Sequence, residues 1–152
     1  MTKWLPRVMG GALVVLILIQ FVPVAKTNPP IETEIPAPDA VKSVLRKACF
    51  DCHSNETVWP WYSLVAPFSW FLKHNVEEAR EEMNFTAWNR IEPEKREKQI
   101  AEVWEEVEEG HMPPWFYLIV HAEARLSATD REILRSWSSN AAPASGHDRH
   151  DH

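Results

Sequence analysis

The chain predicts an all-α fold, and three observations carry that expectation. It holds only 4 glycines in 152 residues, shows almost no strand-like alternation of apolar and polar residues, and instead repeats apolar residues every three or four positions. With 45% hydrophobic residues it has room for one modest domain. We divide it into a short amino terminus (1–7), an apolar segment (8–25), a proline-rich linker (26–38), a helical domain (39–139) and a polar tail (140–152).

Residues 8–25 carry no charged side chain, and at helical rise they cover roughly 27 Å, close to the thickness of bilayer hydrocarbon. Gln20 and Pro23 weaken the distal end. Lys3 and Arg7 precede the segment, while Glu32 and Glu34 follow soon after Lys26. The positive-inside bias therefore leaves residues 1–7 in the cytoplasm and everything after the transmembrane segment outside it. A cleaved secretory signal is the competing reading, but cleavage after Ala25 would want a small residue where Pro23 stands. An uncleaved anchor is favoured, and either reading exports the domain.

Thr27-Asn28-Pro29-Pro30 and Ile35-Pro36-Ala37-Pro38 have the composition of a semi-rigid tether lifting the domain off the membrane. Asp39 suits a helix cap, and Val41, Val44, Leu45 and Ala48 then recur at helical spacing. Trp59-Pro60-Trp61-Tyr62 reads as a turn. Phe68, Leu72, Val76, Ala79 and Met83 form the apolar stripe of a second helix, opposite Glu77, Glu78, Glu81 and Glu82; Asn84-Phe85-Thr86 ends it. A third helix opens at Pro93, buries Ile100, Val103, Trp104 and Val107, and stops at Gly110. Ser127-Ala128-Thr129-Asp130 resembles a capping box with Asp in place of Glu, opening a last helix through Ile133, Leu134 and Trp137. The 8 tryptophans are expected to supply much of the packing.

Chemistry concentrates in Cys49-Phe50-Asp51-Cys52-His53, which contains both cysteines of the chain. C-x-x-C-H is the attachment signal for c-type haem. Two thiols on one turn of backbone reach the two vinyl groups of the porphyrin, and the following imidazole serves as proximal iron ligand. A structural zinc site would need a second Cys/His pair, a thioredoxin-like redox pair would want a βαβ pattern, and a plain disulfide has no use for the histidine. Haem is favoured over all three. The expected cofactor is one haem c, covalent through Cys49 and Cys52, with His53 on the iron.

For the sixth ligand, Met112 leads. It lies in Gly110-His111-Met112-Pro113-Pro114, where the glycine stops a helix and the prolines stiffen the loop. A thioether opposite an imidazole raises the potential and suits an electron carrier. His111, His121 and an open site remain competitors, and a buried gap-filling role for Met112 is the bland alternative. His74, beside a polar helix face, and Met83, on an apolar stripe, are expected to be structural. Trp59, Trp61, Tyr62 and Trp115 are candidates to pack on the ring or bond a propionate, and Arg46, Arg80 and Arg125 to neutralise one.

The order C-x-x-C-H, Trp59-Pro60-Trp61-Tyr62, Met112-Pro113-Pro114-Trp115, His121 and Ala124-Arg125-Leu126-Ser127 resembles the small haem-binding domain family of bacterial envelope proteins. So does the anchor end, Ile19-Gln20-Phe21-Val22-Pro23-Val24 before Thr27-Asn28-Pro29-Pro30. The resemblance covers nearly everything except the tail. It is more distantly similar to class I cytochromes c, which implies thioether bonds at Cys49 and Cys52, His53 proximal and Met112 distal. One departure is His121-Ala122, where His-Pro is expected; it is expected to loosen that loop.

The net charge of −6 gathers between residues 77 and 109. It is expected mainly as a solvated helical face, with an acidic docking surface for a basic redox partner as the minority reading. This sign argues against nucleic acid. The tail, with His147, His150 and His152, is expected to be disordered. The resulting expectation is a single-pass protein of the bacterial inner membrane whose periplasmic haem domain exchanges single electrons with periplasmic or membrane redox proteins. A haem sensor or peroxidase-like domain is the alternative; haem delivery is disfavoured by covalent attachment.

Overall fold

A computed structural model describes residues 4–141; the histidine-rich end of the tail lies outside them. Within this span the protein is all-helical, with helices α1 (Leu5–Ile19), α2 (Asp39–Ala48), α3 (Phe50–His53), α4 (Phe68–Glu82), α5 (Pro93–Glu108), α6 (Trp115–Val120) and α7 (Ala128–Ala141). The four helices expected in the domain are α2, α4, α5 and α7. The motif itself coils into α3, and α6 follows the Met-Pro-Pro loop.

Helices α2, α5 and α7 meet around Val44, Leu45, Val103, Val107 and Leu134, all buried at the positions their 3.6-residue period requires. Two side chains bond carbonyls across α5 and α7: Ser138 Oγ donates to Ile100 O at 2.8 Å and Arg131 to Val107 O at 2.9 Å. The Asp-containing capping box forms reciprocally. Asp130 N–H donates to Ser127 Oγ (3.1 Å), while the Asp130 carboxylate accepts from Ser127 N–H (2.8 Å) and from Lys47 of α2 (2.7 Å). Gly110 adopts φ +80, the left-handed conformation that ends α5.

Four expectations need correction. The apolar segment was expected to be a spanning helix over 8–25; α1 instead ends at Ile19, and no helix among the described residues is long and apolar enough to cross a membrane. The proline-rich stretch is no free tether. Glu32, Thr33 and Ile35 donate backbone hydrogen bonds to Thr86 O and Phe85 O, Trp88 donates back to Thr33 O, and Ile35 is fully buried in the core. Prolines favour extended backbone, and extended backbone also suits a strap laid along the domain. Asp39 makes no side-chain cap, because Pro38 occupies that position. Finally, Trp88 is the only described tryptophan buried outright, whereas Trp61 and Trp115 are 77% and 75% exposed, and Phe68 at the head of the α4 stripe is exposed as well.

Candidate haem site

The strap holds the segment behind the motif. Phe85 N–H donates to His53 O at 2.8 Å while Phe85 O accepts from Ile35, and Phe85 stacks on Phe50 with ring centroids 5.6 Å apart. A buried polar knot closes the end of α3. Ser54 Oγ donates to Phe50 O (2.7 Å), Asn55 N–H to Thr86 Oγ1 (2.7 Å), and Asn84 Nδ2 to Asn55 Oδ1 (2.8 Å). Every member is partnered, so the knot fixes α3 against residues 84–86 without leaving polar groups unsatisfied.

Before this motif helix opens a cleft of about 620 Å³, within the ~300–1,000 Å³ usual for small-molecule and cofactor sites. Cys49, Cys52, His53, Met83 and Met112 all line it. His53 Nδ1 donates to Met83 O at 3.1 Å. That bond orients the ring and leaves Nε2 free, as a metal-bound imidazole requires. Burial lowers the His53 pKa from 6.5, with the Met83 carbonyl opposing the shift, so the imidazole is neutral and able to ligate. Burial also raises the thiols, Cys49 to about 12 and Cys52 to about 11, with Cys49–Cys52 and Asp51–Cys52 repulsion adding to it. At neutral pH neither is a ready thiolate, which argues against an activated redox nucleophile. Gln99 Oε1, on the α5 wall of the cleft, is buried without a hydrogen-bond partner. The donor set of two thiols, an imidazole with one nitrogen free and a thioether fits haem. No cluster of three or more His, Cys, Asp or Glu suited to an ion such as zinc occurs among the described residues.

The competing ligands are placed elsewhere. His74 and His111 are exposed beside Glu78 and Glu106, and neither lines the cleft. His121 is likewise absent from the lining. Its Nε2 meets Tyr62 OH at 2.9 Å, its Nδ1 meets Glu123 at 3.0 Å, and its ring stacks on Tyr117 at 4.2 Å. Tyr117 in turn donates to Asp51 Oδ2 at 2.7 Å. This Asp51–Tyr117–His121–Tyr62 chain, absent from the sequence reading, bolts α6 to the motif. The turn at Ala122–Ala124 also closes without the expected proline, Ala124 N–H donating to His121 O at 3.1 Å.

None of the proposed propionate partners faces the cleft. Arg46 pairs with Glu34 and Glu56. Arg80 donates to Ser54 O, Thr27 O, Asn28 Oδ1 and Thr57 Oγ1 at 2.7–3.1 Å, tying the strap to the loop after α3. Arg125 reaches only Leu118 O, at 3.5 Å. Trp59, Trp61, Tyr62 and Trp115 are also outside the lining. The aromatic groups inside are Phe85, Phe116 and Tyr117.

An α-helical domain with an imidazole, two thiols and a thioether on one cleft defines a haem protein. The model of the haem-binding domain family matches residues 14–140, and the chain belongs to that family. Neither a curated protein nor a solved structure matches it.

Proposed function

We propose that this protein is a membrane-anchored monohaem c-type cytochrome that carries single electrons on the periplasmic face of the bacterial inner membrane. One observation carries the reading: Cys49, Cys52, His53 and Met112, separated by up to 63 positions of sequence, line the same cleft. Cys49 and Cys52 are the thioether sites and His53 Nε2 the proximal ligand. Of the two methionines on the cleft, Met83 gives its carbonyl to His53 Nδ1, so its segment backs the proximal ligand and Met112 is left as the distal one. Bound haem supplies an iron that changes oxidation state by one electron. The chain's own work is to hold His53 neutral and oriented, to keep a soft sulfur donor on a two-proline loop, and to supply an apolar floor from Leu72, Phe85, Val103 and Phe116 within an acidic rim.

Two further observations support the wider reading. No residue of α1 is buried and residues 8–25 are uncharged, which suits insertion in lipid, although α1 itself is only 15 residues and too short to cross a membrane as a helix alone. The sensor or peroxidase alternative drew its polar distal group from His111 or His121, and both are engaged outside the cleft. Partners are redox proteins of the periplasm or membrane.

The test is spectroscopy on protein matured with haem-attachment machinery. Haem stays with the polypeptide through denaturation, and is released when Cys49 and Cys52 are both changed to Ala. A sulfur-to-ferric charge-transfer band disappears in Met112→Ala and survives in His121→Ala. Haem released from the wild type by denaturant refutes the covalent claim; rapid carbon monoxide binding by untreated ferrous protein refutes the six-coordinate carrier.

A further inference from the structure

The aromatic surface of residues 58–71 takes no part in lining the cleft, which this stretch reaches only at the following residue, Leu72. This stretch carries no charged side chain, nor do residues 112–120, in a chain of which 25% is charged. The two stretches form one patch, because Phe71 meets Phe116 at 5.2 Å and Tyr62 OH meets His121 at 2.9 Å. Trp61, Leu64, Phe68, Phe71, Trp115 and Ile119 stand exposed on it, at 50–77%. A contiguous exposed apolar patch of this kind marks an interaction surface.

Its neighbour says what covers it. Gln20, at the end of α1, pairs its carboxamide with both backbone groups of Ala66: Nε2 donates to Ala66 O at 3.0 Å, and Ala66 N–H donates to Gln20 Oε1 at 2.9 Å, while Nε2 also donates to Leu16 O within its own chain segment at 2.9 Å. Lys26 adds a bond to Ser63 O at 3.4 Å. The apolar helix and the loop bearing Trp61 and Leu64 are thereby fastened at one level. Where α1 leaves the hydrocarbon, this loop must lie at the headgroups, the depth at which tryptophan and other amphipathic rings are enriched.

We infer that the Trp61–Phe71 loop and α6 form a membrane-seating surface that beds the haem domain in the lipid headgroup region. The inference rests on the anchor reading of α1 and reverses the picture of a domain held clear of the bilayer. Since Leu72 and Phe116 line the cleft while Phe71 and Trp115 lie on the patch, one rim of the cleft is carried to the membrane surface. The patch has no basic cluster, so seating is apolar and independent of anionic lipid.

The test is hydroxyl-radical footprinting of the full haem-loaded chain in phosphatidylcholine nanodiscs, each residue normalised to its intrinsic reactivity. Trp61 and Trp115 are protected severalfold, while exposed His74 and His111 are not. Leu64→Glu with Ile119→Glu, at positions 72% and 67% exposed and so harmless to folding, restores labelling at both tryptophans while α1 stays protected. Trp61 and Trp115 labelling as freely as His74, with α1 protected, overturns the seating and leaves the anchor standing; that result is also expected of a surface reserved for a protein partner. Protection that survives both glutamates overturns it too. Labelling throughout α1 removes the anchor reading and the seating together.

Discussion

Ile35→Ala distinguishes a strap from a spacer. A free tether loses nothing when one of its apolar residues is truncated. In this fold Ile35 is completely buried, sits in the core with Phe85 and Trp88, and donates its N–H to Phe85 O at 2.7 Å. Truncating a buried Ile to Ala removes its transfer free energy and leaves a cavity, together about 2–5 kcal/mol. The backbone hydrogen bonds can survive, so the cavity and transfer effects account for the whole loss. With a urea dependence of about 2 kcal/mol per molar, the middle of the usual range, the unfolding midpoint should fall by roughly 1–2.5 M. The measurement is urea unfolding followed by circular dichroism, with the haem absorbance recorded in parallel. Both signals should move together, because Phe85 also donates to His53 O and loosening residues 84–86 loosens the proximal ligand. An unchanged midpoint would refute the strap and restore the tether. A lowered circular dichroism midpoint with the haem signal unmoved would break the proposed link between strap and site.

Two other perturbations follow the same logic. The Asp130 pKa is drawn down from 3.8 to about 2, first by the bond from Lys47 and then by those from Ser127. Stability from this carboxylate is therefore complete above about pH 4 and lost as pH falls toward 2. Asp130→Ala should cost about 1–2 kcal/mol at neutral pH as a lost cap, and acid titration of the variant should lack that part of the wild-type decline; an unchanged acid limb contradicts the assignment. Arg80→Met should cost about 2–4 kcal/mol through its lost charge-assisted bonds while leaving the haem potential nearly unchanged. A shifted potential at unchanged stability would instead make Arg80 a propionate partner.

The legible parts of this protein are those that local rules determine. The motif is a fixed local spacing, so Cys49, Cys52 and His53 stand out within five residues, and the fold brings all three to one cleft. Helical period placed Val41, Val44, Leu45, Val103, Val107 and Leu134 in the core because each helix buries one stripe. Non-local partners decided the rest. Nothing in Thr33-Glu34-Ile35 announces that its amides bond to Thr86 O and Phe85 O, and prolines on both sides point to a spacer. The Phe68 stripe position failed for a related reason: the period identifies an apolar face without saying whether protein or lipid covers it. Asp51 occupies a variable position of the motif, and only the fold brings Tyr117 to it.

The cleft sets two effects against one another once Met112 and His53 are taken as the ligands. Asp51, Glu78, Glu82, Glu102, Glu105 and Glu106 line it, and no Lys or Arg does among the described residues. Carboxylates favour ferric iron, whereas a thioether favours ferrous. Glu78, Glu82, Glu105 and Glu106 are exposed, and at about 10 Å in water-like surroundings each is worth about 0.4 kcal/mol. That is roughly 20 mV per carboxylate for a one-electron couple, before salt screens it further. Axial ligation moves haem potentials over a range of about 0.8 V, so on the proposed ligation Met112 would set the potential and the glutamates would only trim it. Their larger effect would fall on encounter, since a field too weak to fix a potential can still steer a basic partner of the proposed electron carrier toward the cleft mouth. The inferred membrane seating would act on the same step by fixing which rim of the cleft is free. On the proposed reading two roles are thus separate: potential on the ligand loop, and partner choice on the charged rim and on the way the domain would lie on lipid.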